Sequence, residues 1–251
     1  MSVRGSFRHQ SCSYLEDGAQ EFCVNFVSQK MIKTLSEQLF EASNGIITMQ
    51  DEISDPTKQF SMADDGGVET EVGEFLYGLV RVLKPEFILE TGTYTGVSSM
   101  YMAQALKDNG KGILTTLEIS SIHRDRAEKL WTEVGVNLRV TCLLTESLEY
   151  SPLEQYDLIF SDSEPQIRFE EVIKFFPFLK QGGYIGIHDL PRSLCQGNFN
   201  PDHPEMKSYP YGDLPDQIKE WLKTDQLRMV HFPTPRGLTF LYKPTEEDYR
   251  P

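Results

Sequence analysis

Apolar positions along the chain switch between helical spacing and short continuous runs. Over 19–43, Phe22, Phe26, Val27, Met31, Leu35, Leu39 and Phe40 recur as one face of a helix. From 69 to 83, Val72, Phe75, Leu76, Leu79, Val80 and Leu83 do the same, and Pro85 stops that helix. Phe87-Ile88-Leu89-Glu90 then reads as a buried strand ending in an acid. The pattern repeats. Helix 97–107 closes at Gly110 and Gly112, strand 113–119 carries Glu118 near its end, and helix 122–134 leads to strand 138–144. A fourth strand covers 156–160, a helix covers 165–180, and Gly182-Gly183 turns into a fifth strand over 184–187.

Strands that alternate with helices at this pitch imply an α/β fold: a doubly wound, mostly parallel sheet with helices on both faces. The chain beyond 190 changes texture. Residues 191–215 are rich in Pro, Gly, Asn and Asp and read as a long lid loop. Helix 214–223 follows, and the runs 227–232 and 238–242 flank Pro233-Thr-Pro-Arg-Gly237 as an antiparallel hairpin that completes a seven-stranded sheet. The expected organisation is a helical segment over 1–65, either a cap on the site or an interface, followed by a main domain over 66–251.

Composition narrows the function classes. A net charge of −14 with no Lys/Arg cluster argues against nucleic acid, whose binding rests on phosphate contacts. No run of about 18 apolar residues suggests a membrane span. Met1–Tyr14 is polar and lacks the apolar stretch of a secretory leader. Cys12, Cys23, Cys142 and Cys195 form no Cys-x-x-Cys pair, so reduced thiols and a cytoplasmic setting are expected. The partners expected are a small-molecule acceptor and a second copy in a homodimer.

The most informative stretch is Ile88-Leu-Glu-Thr-Gly-Thr-Tyr-Thr-Gly-Val97, a strand end, a glycine turn and a helix start. Ligands of open α/β sheets bind at such ends. A dinucleotide fingerprint needs a second glycine where Tyr94 stands, and a P-loop needs Gly-Lys where Gly96-Val97 stands. Glu90 would repel a diphosphate but suits a cationic ligand such as S-adenosylmethionine, with its ammonium and sulfonium. Glu118, 22 residues after Gly96 at the next strand end, can accept from ribose hydroxyls.

Glu90-Thr-Gly-Thr-Tyr-Thr-Gly96 resembles motif I of the class I S-adenosylmethionine-dependent methyltransferases. The likeness covers about 66–190 and the final hairpin. It is closest to small-molecule O-methyltransferases of the catechol and caffeoyl-CoA type and their sugar- and antibiotic-modifying relatives. Gly67-Val-Glu-Thr70 resembles the segment that touches the methionine part, and Thr145-Glu-Ser147 the loop that meets the adenine. The strand-four and strand-five motifs match Tyr156–Asp162 and Gly182–Asp189. The resemblance implies a Rossmann-like fold and cofactor contacts from Thr70, Glu90, Gly92, Thr93, Tyr94, Gly96, Ser98, Glu118, Ile119, Glu146, Ser147 and Asp162.

Methyl transfer from a sulfonium is an in-line displacement that needs alignment and removal of the acceptor's proton. His188 is the expected base, with Asp162 or Asp189 orienting it; the alternative is a packed strand-end histidine. In the catechol-type relatives an acid after strand four and an Asp-Asn pair after strand five hold Mg²⁺. Asp162 and Asp189 match the acids, whereas Leu190 stands where the asparagine would be. Leucine cannot ligate, so a metal site of Asp162 and Asp189, with Glu164 as a third acid, stays open. The rival functions are a nicotinamide oxidoreductase, disfavoured by Tyr94, aminopropyl transfer, and a non-catalytic protein of the same fold.

Overall fold

The sheet sorts its side chains by strand parity. On β3 (Phe87–Thr91), Ile88 enters one buried cluster and Leu89 the other. The same split runs through β6 (Tyr156–Ser161), where Leu158 and Phe160 face the first cluster and Ile159 the second. Both faces are therefore covered, as a parallel sheet requires. The first is covered by α2 (Thr70–Leu83), α3 (Val97–Asn109) and α4 (Ser121–Val134), which supply Leu76, Val80, Met100, Tyr101, Leu130 and Trp131. The second is covered by α5 (Arg168–Phe175) and α6 (Asp216–Lys223), through Val172, Phe175, Ile218 and Trp221.

The computed structural model describes residues 33–48, 53–55, 60–61, 67–190, 214–232 and 234–249, which fall within one unit, Lys33–Pro251. Residues 19–32 of the expected first helix and 191–213 of the expected lid loop lie outside the described residues. No described helix is long and apolar enough to cross a membrane.

The seven strands run in the order β5-β4-β3-β6-β7-β9-β8, with β4 at Ile113–Glu118, β5 at Val140–Leu144, β7 at Leu179–His188, β8 at Arg228–Phe232 and β9 at Leu238–Tyr242. β3 to β7 pair in parallel; β9 is antiparallel to both β7 and β8. After β5 the chain crosses back to the other side of β3, so the order reverses between β3 and β6. Open α/β sheets bind their ligands at the carboxyl ends of the strands that flank such a reversal.

Two boundaries differ from the sequence expectation. The helix expected over 165–180 is α-helical only over Arg168–Phe175, between short 3₁₀ turns at Pro165–Ile167 and Phe176–Phe178, because Pro177 cannot continue the α-helical ladder. β7 accordingly begins at Leu179, opposite Tyr156, and a bulge at Gly182 (φ +79°) restores the pairing of Tyr184 with Leu158. A two-stranded hairpin, β1 (Ile53–Asp55) with β2 (Phe60–Ser61), was not expected.

Of the N-terminal helix, α1 (Leu35–Ala42) is described. Thr34 and Glu37 close it with a capping box, a motif worth about 1 kcal/mol. Leu39 and Phe40 join the cluster beneath α2 and α3, and the Ser36 hydroxyl lies 2.7 Å from the Tyr101 hydroxyl.

Candidate active site

The glycine turn after β3 is shaped by two close approaches. Gly92 has φ +80°, and a Cβ there would lie 2.3 Å from the carbonyl oxygen of Asp162 on the neighbouring strand end. Gly96, at φ +82°, caps α3, and its carbonyl accepts from the Trp131 indole N–H at 2.9 Å. Between them Tyr94 is held at φ +47°, a conformation uncommon outside glycine, and its ring meets His123 edge-on at 4.8 Å.

Glu118 explains how Tyr94 is held. Its carboxylate accepts from the Tyr94 N–H at 2.8 Å and from the N–H groups of Ile119 (3.0 Å) and Ser120 (2.8 Å). It joins the turns after β3 and β4 and still has lone pairs for a ligand. Ile119 beside it is 68% exposed, an apolar side chain turned to solvent. Glu90 is turned inward instead. It is fully buried and accepts from the Ser98 hydroxyl at 2.5 Å and from the Ser99 hydroxyl. Burial pushes its carboxyl up to about 7, although Ser98, Ser99 and Thr116 donate to it. Thr93 also points inward, with its hydroxyl 2.7 Å from that of Thr116.

Ser147, on the turn after β5, is buried and donates to Glu171 of α5. The same carboxylate receives the Thr91 hydroxyl at 2.8 Å and the Ser161 hydroxyl at 2.6 Å. Glu171 therefore pins together two strand ends and the turn that follows β5. Neighbouring Glu146 is exposed.

At the ends of β6 and β7 the structure brings Asp162, His188 and Asp189 together, with ligand-capable atoms within 4.8 Å of one another. His188 is 1% exposed, and both of its ring nitrogens are engaged: Nε2 lies 2.8 Å from Glu69 Oε2 and Nδ1 lies 3.0 Å from Asp162 Oδ1. Burial alone would lower its pKa. The charges of Asp162 and Asp189 and the hydrogen bonds to Asp162 and Glu69 outweigh burial and raise it to about 10. A raised pKa favours the protonated ring, whose two nitrogens both face carboxylates.

Three charged residues of this cluster were not singled out from sequence. Glu69 precedes α2 inside Gly67-Val-Glu-Thr70, and burial is outweighed by His188, which holds its carboxyl below the usual range. Arg168 opens α5 with a side chain 4% exposed; its Nη2 is 3.2 Å from Asp162 Oδ1 and its Nη1 is 3.2 Å from Asp189 Oδ2. Arg236, on the β8–β9 turn, forks onto Asp189 through Nε at 2.6 Å and Nη2 at 2.7 Å. A lone arginine on the buried face of a helix and one in a Pro-rich turn were the available signals.

A family model described as a methyltransferase domain matches residues 89–190, the span from β3 to the end of β7. Over that span the chain is similar to a methyltransferase domain. A relative from Mycobacterium sp. (strain KMS) whose name assigns it to the O-methyltransferases is 30% identical over 147 residues, which is 57% of this chain and 66% of that protein. One of the same assignment from Mycolicibacterium smegmatis is 32% identical over 133 residues, 50% of this chain and 62% of its own length. The matches thus span just under two thirds of these relatives. Among solved structures, the O-methyltransferase TomG from Streptomyces achromogenes, in complex with SAM, superposes with a TM-score of 0.60 at 20% identity, covering 88% of this chain and 94% of its own. The SAH-bound methyltransferase PaMTH1 from Podospora anserina gives 0.61 at 19% identity, covering 94% and 100%.

The donor set at these strand ends does not fit a resident Mg²⁺. Asp162 and Asp189 are already neutralised by guanidinium groups, and Leu190, at the place of the third ligand, is fully buried in the second core cluster.

Proposed function

We propose that the protein transfers the methyl group of S-adenosylmethionine to the hydroxyl oxygen of a small-molecule acceptor. The observation that carries this reading is the convergence, at the strand-order reversal, of the glycine turn held by Glu118 with the acids ending β6 and β7. Three features suit the donor molecule. Glu118 keeps acceptor capacity for ribose hydroxyls, and exposed Ile119 offers an apolar face to an adenine. Thr70 Oγ1 is buried without a hydrogen-bond partner at the start of α2, where open N–H groups favour a carboxylate.

The bound cofactor supplies an electrophilic methyl group on a sulfonium. The chain's own residues align the acceptor and handle its proton. Asp162, 11% exposed, is the carboxylate of the cluster that reaches solvent, and it receives the acceptor's proton. His188 Nδ1 and Arg168 Nη2 both engage Asp162 Oδ1, so they orient this carboxylate.

The reading is tested by calorimetry with S-adenosylhomocysteine, followed by turnover against a panel of phenols and sugar hydroxyls. Saturable binding that weakens at least tenfold in Glu118→Ala supports it. Absence of any heat with the wild-type protein overturns it.

A further inference from the structure

The ends of β6 and β7 each finish in a carboxylate, and such a pair needs a cation between its members to stay buried. A divalent ion is one solution. This chain contains another. Arg168 reaches across from the first turn of α5, with Nη2 on Asp162 and Nη1 on Asp189, each at 3.2 Å. Its Nε donates to the Ser163 carbonyl at 2.7 Å and its Nη1 to the His188 carbonyl, so the guanidinium is fixed by the backbone of both strand ends. Arg236 takes the remaining side of Asp189, with an Nη2 hydrogen bond to Oδ2 and Nε in ion-pair contact with Oδ1, and ties it, through Nη1 and the Gly67 carbonyl at 2.7 Å, to the segment ahead of α2. Arginine stays charged under all working conditions, so these two positive charges cannot be titrated away to admit an ion.

We infer that the Arg168 guanidinium occupies the bridging role a divalent metal would fill between Asp162 and Asp189, and that Arg236 closes the same site. The protein is therefore metal-independent. Two consequences follow. A metal can seize two neighbouring hydroxyls of an acceptor at once, whereas a guanidinium already spent on carboxylates cannot. Acceptors with a single hydroxyl should thus be used as well as vicinal diols. Arg168 is also a positioning residue, because it sets where the Asp162 carboxylate stands.

The acceptor statement rests on the methyltransferase reading above; the metal statement does not. Mn²⁺ titration of the wild-type protein, followed by electron paramagnetic resonance, separates the two when S-adenosylhomocysteine binding is measured in parallel by calorimetry. The expected result is no saturable Mn²⁺ site up to about 1 mM and the same S-adenosylhomocysteine affinity with Mg²⁺ as with EDTA. One saturable Mn²⁺ per chain that disappears in Asp189→Asn would overturn the inference. Loss of S-adenosylhomocysteine binding alone would instead strike the methyltransferase reading. The double variant Arg168→Met/Arg236→Gln is expected to gain Mn²⁺ affinity at least tenfold. If it folds and gains none, the arginines are not what excludes the ion and the inference fails. If it does not fold, the wild-type titration decides.

Discussion

Glu90 offers a test in which burial is the largest influence on the magnitude. The carboxyl is fully buried beneath the glycine turn, and its partners are the hydroxyls of Ser98, Ser99 and Thr116. Burial raises its pKa from 4.5 to about 7 against the pull of these donors, with the charge of Asp162 adding to the rise. Between these two values the folded protein keeps a proton that the unfolded chain has released. Stability must therefore fall as pH rises from about 4.5 to about 7 and level off above. The span of about 2.5 units corresponds to roughly 3 kcal/mol, a large part of the 5–15 kcal/mol typical of a domain. Gln cannot titrate, and its amide can satisfy the same hydroxyls once these rotate. Urea denaturation of wild type and Glu90→Gln at intervals from pH 4.5 to 8.5 isolates the effect as a difference. The variant should gain roughly 3 kcal/mol relative to wild type across the lower half of that range. Parallel profiles would refute the reasoning, since they would mean that the ionised carboxylate costs nothing in its site.

His188 titrates in the opposite sense. Its pKa is raised to about 10, so its contribution is complete below the ordinary 6.5 and is lost as pH rises through 10. His188→Asn should remove several kcal/mol of this alkaline loss in denaturation curves taken from pH 6.5 to 10. Glu171→Ala leaves the hydroxyls of Thr91, Ser147 and Ser161 without their acceptor, at a cost of about 3 kcal/mol or more. Hydrogen exchange should accelerate at residues 145–150 in this variant, and unchanged protection there would count against the pinning role. Gly92→Ala places a Cβ 2.3 Å from the Asp162 carbonyl at φ +80°. Calorimetry should find its S-adenosylhomocysteine affinity reduced at least tenfold, and wild-type affinity would show that the turn has room to spare.

The fold was legible where a pattern is local and long. α2 buries Val72, Leu76 and Val80 along one stripe, and β3 is a continuous apolar run, so both stand out in the sequence. Boundaries were lost where two short-range rules compete. Phe176 and Leu179 sit at helical spacing from Val172, yet Pro177 breaks the ladder, and the apolar pair serves a 3₁₀ turn and a strand instead. The hairpin of Ile53–Asp55 with Phe60–Ser61 has strands of three and two residues, too short for alternation to register.

The site divides in the same way, by the sequence distance between partners. Gly92, Gly96 and Glu118 act within one strand-helix-strand unit, and their spacing reveals them. The charge cluster is assembled from afar: His188 meets Glu69 across 119 residues, and Asp189 meets Arg236 across 47. A carboxylate at a buried strand end announces that it needs a cation, but nothing near it in the chain says which one. Asp162 and Asp189 therefore read equally well as metal ligands and as ion-pair partners. The choice falls to a helix packed on one face of the sheet and to a turn at its far edge, which deliver Arg168 and Arg236 to the same two acids. Asp189, held at φ +55°, then couples the C-terminal hairpin to the site, since it is the residue that both guanidiniums grip. Any substitution that loosens the β8–β9 turn should be felt at the strand ends through that carboxylate, before it is felt in the core.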